Sequence, residues 1–283
     1  MPGSTLPIAV LFGACCLSLN NSALAQTETT EKLTWGWFSA PPYMISEGIA
    51  HKQGVFDLIR VKLIEGMPAY QHKEVLAPFP RIINEVKKGA NWCFAGAVKT
   101  SEREQYAYFS RPIALFLPYR LVVLKDSSLA QQSSLTLEKL LANPEIRTSV
   151  LRGRSFNPLI DELLRQHPPS QTHSEFYEAL QMLLNKRLDY LIEFPVIAHY
   201  QLSQINQSQR VKLVEITEPQ ELGYYRVMCA KSPTGLQVID RVNKLIKLEM
   251  RKTSYRQLLE KWADDLSVGQ IRHYYDKQFL AAD

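Results

Sequence analysis

Apolar residues recur along this chain in two alternating rhythms. Residues 33–38 form a short apolar run that reads as a strand, and helical spacing begins at Asp57. Residues 71–76 read as a strand, 80–88 as a helix, and 92–96 as a strand again. Such alternation predicts an α/β lobe around a mainly parallel sheet, because parallel neighbours need a crossover and a helix is its usual form. Asp57 offers a carboxylate at a helix start, where orphan amide hydrogens need an acceptor, and Gly66 and Gly89 stand where helices end.

A second series follows. Residues 119–124, 147–151 and 188–192 read as extended, and 137–141, 156–165 and 174–185 as helical. Residues 224–230 make a further strand, and 236–249 and 255–263 carry helical spacing. Weak breaks at residues 112–118 and 231–235 divide the chain into a first lobe over 33–115, a second over 116–231, and a return to the first over 232–283. A ligand then belongs in the crevice between lobes, at the carboxyl ends of strands.

Composition narrows the class. At 283 residues and 46% hydrophobic, the chain has enough apolar material for a substantial core. The net charge of +5 is spread among interleaved acids and bases, so nucleic-acid binding gains no support. Residues 1–25 contain no Lys, Arg, Asp or Glu, are largely apolar over 6–19, and end in Ala23-Leu24-Ala25. This predicts a signal peptide cleaved after Ala25 and export to the periplasm. Cys15 and Cys16 lie in that leader, but Phe12-Gly13-Ala14 departs from the pattern that precedes a lipid-modified cysteine. Cys93 and Cys229 remain in the mature chain, as a disulfide or as two buried thiols. Cys and His never recur at metal-ligand spacing, so no metal is expected.

The richest chemistry lies at Gly96-Ala97-Val98-Lys99-Thr100-Ser101-Glu102-Arg103, continuing to Tyr108-Phe109-Ser110-Arg111-Pro112. This run resembles the signature of the amino-acid-type periplasmic solute-binding proteins, family 3 with the type 2 periplasmic binding fold. That signature is a Gly-x-Thr-x-Thr-x-x-Arg stretch followed by Phe-Ser-x-Pro. Residues 35–43, 79–89 and 258–262 look like the opening strand and its turn, the helix before the signature and the closing Lys-Trp helix, in the expected order. The resemblance implies an α/β, two-lobed fold with a ligand cleft between lobes, and a carboxylate held by Arg103 with help from Gly96 and Thr100. A planar guanidinium suits that task, since it can grip a carboxylate through two parallel hydrogen bonds. A surface ion pair with Glu102 or Glu104 is the alternative for Arg103, and a simple turn for Gly96. Val98 stands where the family commonly places a hydroxyl.

By the same comparison Trp37, Ser39 and Phe79 belong in the cleft, with core packing as the alternative for each. Leu151-Arg152-Gly153-Arg154-Ser155 looks like the family's second-lobe turn, with Arg154 and Ser155 facing the ligand or Ser155 capping a helix. Glu193 ends a strand where the family places an acid, as a partner for a cationic group or in a pair with Arg152. The resemblance thus implies a solute-binding protein that captures a small, polar, amino-acid-like carboxylate, working as a monomer with an ABC-transporter membrane component or a sensor. Catalytic residues and cofactors are not expected. Two other classes stay open: a dehydratase-like enzyme with Glu193 as general acid, and an envelope interaction protein that binds no ligand.

Overall fold

Two sheets, each containing a single reversed strand, organise the chain from Glu31 onward. The structure, a computed structural model, describes residues 1–4, 31–169 and 171–282. The expected leader, with Cys15, Cys16 and the cleavage point after Ala25, lies outside the described residues apart from its first four. No helix among the described residues is long and apolar enough to cross a membrane.

The chain opens with β1 (Glu31–Trp37), α1 (Val55–Glu65), β2 (Tyr70–Leu76), α2 (Phe79–Lys87), β3 (Trp92–Val98), α3 (Ser101–Glu104) and β4 (Ala107–Phe116). It continues through β5 (Arg120–Leu124), β6 (Ser134–Leu135), α4 (Leu137–Leu141), β7 (Ser149–Leu151), α5 (Pro158–Gln166), β8 (Gln171–His173), α6 (Phe176–Leu184), β9 (Tyr190–Glu193), α7 (Pro195–Gln204) and β10 (Val211–Ile216). It closes with β11 (Gly223–Ala230), α8 (Pro233–Glu249), α9 (Thr253–Glu260) and α10 (Asp265–Lys277).

The first sheet has the order β2-β1-β3-β11-β4 and the second β6-β10-β5-β9, with β7 and β8 forming a separate parallel pair. Within the first sheet, β1 runs parallel to β2 and β3, while β11 is antiparallel to both β3 and β4. In the second, β10 is parallel to β6 and antiparallel to β5, which in turn opposes β9. The expected mainly parallel sheets are present, each with one reversed member. The cause is connectivity. Strands β5 and β11 are the first to enter their sheets after the chain crosses over, so they begin at the face where their neighbours end. Strand β11 joins the first sheet before residue 232, where the sequence pattern suggested the return.

Local chemistry explains the elements. Helix α2 starts with Pro80 in its first turn, where a missing amide hydrogen costs nothing, and buries Ile82 and Val86 against the sheet. Gly89 then takes φ +77°, a turn that a side chain would strain. Helix α1 differs from expectation at its start. Gly54 is the capping residue, and Asp57 sits one turn in, where its carboxylate accepts from the amides of Gly54 (3.1 Å) and Ile45 (2.8 Å) and from Arg60 (2.9 Å). Strand β4 carries Pro112 near its middle and survives because it is an edge strand with a register shift at that point.

Cys93 and Cys229 are directly opposed on β3 and β11, with Cα atoms 4.1 Å apart, and they form a disulfide. The bond joins strands 136 residues apart in sequence. In the second lobe, the Ser149 hydroxyl and His173 Nδ1 lie 2.9 Å apart and tie β7 to β8. Burial, with the nearby Arg154 charge, pushes the His173 imidazole down to about 4.

Replacing both cysteines by alanine should lower the unfolding free energy by about 2–5 kcal/mol, because the long loop is no longer closed in the unfolded chain. Denaturant titration under non-reducing conditions checks this, and an unchanged midpoint would exclude the bond. His173 gives a pH signature. Its folded pKa lies below its unfolded value near ~6.5, so its stabilising contribution is whole above that pH and is lost as pH falls toward about 4. His173→Gln should therefore lose less stability than the parent between neutral and acidic pH, measured by denaturation at each pH.

Candidate functional site

Strand ends from both sheets converge on one cavity. Chain leaving β1 brings Phe38, β3 brings Gly96 and Val98, β4 ends in Phe116, and β11 contributes Tyr225 near its start. From the second lobe come Arg154 and Ser155 after β7 and Phe194 after β9. Together these elements bound a narrow cavity of about 60 Å3.

Arg103 is the central charge. Its residue is 5% exposed, and its guanidinium donates to the carbonyls of Val98 (2.9 Å) and Gly153 (3.0 Å), one from each lobe. Thr100 does not line the cavity. It caps the four-residue α3 by accepting from the Arg103 amide (3.2 Å), and so positions the arginine. The neighbouring acids are engaged elsewhere: Glu102 pairs with Lys87 (3.3 Å) and Glu104 with Lys99 (2.8 Å). Consecutive residues on a helix do not face each other, which removes the expected local ion pair. Among the described residues Arg103 makes no ion pair. Burial pulls its pKa below the ordinary arginine value, against the opposing influence of Tyr106, which shares a side-chain hydrogen bond with it, and of Asp161 and Glu102.

Gly96 has a structural reason to be glycine. Val227 pairs with Ala95 and Arg226 with Ala97, so Gly96 is the extra residue of a β-bulge, at φ +114°. A Cβ there would stand 2.6 Å from the Phe56 ring. The bulge re-aims the end of β3 and brings Val98 and its carbonyl to Arg103.

Arg154 is charged but not available. It meets Glu193 through two contacts of 2.7 Å, with its guanidinium 4.6 Å from the Phe156 ring centre and 5.6 Å from those of Tyr119 and Phe194. Burial disfavours its charge, but Glu193 outweighs this and holds the pKa above the ordinary arginine value. Glu193 also accepts from the Phe194 amide (2.7 Å), and it does not line the cavity. Its partner is Arg154, not Arg152, and it borders a smaller neighbouring cavity with His173 and Gln201. Ser155 lines the cavity, because the cap of α5 is Asn157, which accepts from the Ile160 amide at 2.8 Å.

Phe79, Gly96, Val98, Arg103, Arg154 and Ser155 therefore meet at the cavity. Trp37 and Ser39 do not. Trp37 is buried on the opposite face of the first sheet, over the Arg60 guanidinium at 5.3 Å, and strand alternation hands the cavity to Phe38 instead. The Ser39 hydroxyl accepts from Ser46 (2.8 Å), and the residue borders a separate depression with Pro41, Tyr200 and Gln201.

Much of the lining is aromatic. Phe116 lies 4.2 Å from Tyr43, 4.1 Å from Tyr225 and 5.0 Å from Phe194, measured between ring centres, so rings from both lobes form one cluster. The Tyr225 and Tyr119 hydroxyls are bonded to each other at 3.1 Å. Alternation from Trp37 pointed to Phe38, but nothing local to Phe116 or Tyr225 marked them as lining. Among the described residues no cluster of His, Cys, Asp or Glu is arranged to hold a metal ion.

No family model matches the sequence, and no curated protein matches it. Solved structures match along most of the chain. The substrate-binding protein of an amino acid ABC transporter aligns with a TM-score of 0.65 and 19% identity, over 81% of this chain and 98% of that one. An ancestral amino acid-binding protein described as a precursor of cyclohexadienyl dehydratase gives 0.64 and 19%, over 82% and 96%. A histidine kinase sensor domain with similarity to periplasmic binding proteins gives 0.67 and 15%, over 82% and 95%. At these identities the likeness speaks for architecture, and with the sheet order and the cleft it gives one conclusion: the chain has the two-lobed, type 2 fold of the periplasmic binding proteins.

Proposed function

We propose that this chain is an exported solute-binding protein that closes its lobes around a small molecule bearing a carboxylate. The observation that carries the reading is Arg103: a guanidinium buried at the cavity, touching both lobes, with no ion pair among the described residues. A buried cation whose contacts are two carbonyls, the Tyr106 side chain and the Phe79 ring still gains from an anion that completes its hydrogen bonding. Because Arg103 bridges to Gly153 across the cleft, an anion bound there would favour the closed arrangement, as differential affinity for one state requires. The chain passes between sheets at residues 117–119 and 217–222, and we assign the hinge to these two segments.

Uptake and sensing are both consistent with this chemistry, and the structural relatives include a transporter component and a sensor domain. The pattern of residues 1–25 supports delivery to the periplasm, where the captured molecule would pass to a membrane importer or sensor. A dehydratase-like reaction finds less support. Glu193, the acid proposed for it, has both carboxylate oxygens committed to Arg154.

Mass spectrometry of molecules released from natively purified protein should recover a carboxylic acid. Arg103→Ala should weaken its binding by about 2–5 kcal/mol, read by calorimetry, since a carboxylate would then be buried without its partner. An unchanged dissociation constant would remove Arg103 from the site.

A further inference from the structure

We infer that the molecule held in this cleft is an organic acid with an apolar, ring-bearing body and no ammonium group. This rests on the carboxylate-binding reading of Arg103 and narrows the amino-acid-like class expected from the sequence. The charge balance of the lining comes first. Arg103 and Arg154 are its charged members, and none of the described lining residues is Asp or Glu. Two acids near the site lie outside its lining. Glu193 is held bidentate by Arg154, and Asp161 accepts from the Phe156 amide at 2.8 Å.

An α-ammonium entering this space would lose its water, meet no carboxylate among the described lining residues, and lie near the Arg103 guanidinium. Each of these disfavours it. A carboxylate, by contrast, is favoured by the same field. The remainder of the lining then specifies the body. Phe38, Phe56, Phe79 and Phe94 supply apolar ring surface, while the hydroxyl of Tyr225 is already bonded to that of Tyr119. A polar body would find few partners here, whereas an aryl group would exchange water for ring contacts.

A quaternary ammonium is the cation that aromatic rings could receive without a carboxylate, but such recognition needs exposed ring faces around an open centre. Here Phe116 packs against Tyr43 at 4.2 Å and Tyr225 at 4.1 Å, so these rings cover one another. Arrangement and charge therefore favour the aryl acid.

The test uses four probes on purified protein dialysed free of small molecules: 3-phenylpropanoate, L-phenylalanine, 3-phenylpropanamide and glycine betaine. Calorimetry gives affinity, and the melting temperature gives an independent reading. The expected result is that 3-phenylpropanoate binds at least about tenfold more tightly than each of the others, and that Arg103→Ala abolishes the preference over the amide. Equal or tighter binding of L-phenylalanine or glycine betaine would overturn the inference and leave the carboxylate reading of Arg103 standing. Equal binding of acid and amide would overturn both, as would failure of all four probes to bind.

Discussion

A positive charge buried without an acidic partner among the described residues is the constraint around which this molecule is arranged. Removing a guanidinium from water is costly, and Arg103 recovers part of that cost through two carbonyl oxygens supplied by different lobes. Each supporting feature serves that placement. Thr100 caps the short helix that carries the arginine, and the bulge at Gly96 directs the end of β3 toward it. Lys87 and Lys99 draw away the acids on either side. The second arginine is handled in the opposite way, with Glu193 satisfying it bidentately inside an aromatic cage. Two cations of the same type thus lie at one cavity in different settings: Arg154 is a bidentate ion pair, and Arg103 donates to two carbonyls with no ion pair among the described residues.

The two reversed strands explain why the cleft lies where it does. Because β4 leaves the first sheet at its carboxyl end and β5 begins the second, and because β10 leads back to β11 in the same manner, both crossings occur at one face of each sheet. That face is where the parallel strands end, and where loops can present side chains without disturbing the ladder. The disulfide between β3 and β11 then fixes the returning strand to the sheet that carries the Gly96 bulge. Catalysis, transport and sensing can all be built on such a frame, which is why charge and lining chemistry, rather than architecture, carry the functional reading.

Much of the fold was legible along the chain because its helices and strands are locally consistent. The α1, α2 and α8 regions show helical spacing, and the ends of α1 and α2 carry glycine. The edge strand β4 was hidden by Pro112, a residue that only an edge position with a register shift tolerates. Arg103, Gly96, Val98, Phe79, Arg154 and Ser155, singled out from motif and turn position, all border the same cavity. Trp37 and Ser39 were misplaced because resemblance names a segment, while a one-residue step along an extended chain changes the face. Glu193 was misassigned for another reason: its partner lies 39 residues earlier, on a different element.

By itself the sequence determined the alternation of strands and helices, the two-lobed α/β class, and the segment that carries Arg103, since periodicity, capping and motif spacing are local properties. Only the tertiary structure decided which charges meet, which rings close the cavity, and that Cys93 opposes Cys229. Those outcomes depend on contacts between residues far apart in the chain, and pairing across such distances is set by packing the whole core rather than by any local pattern.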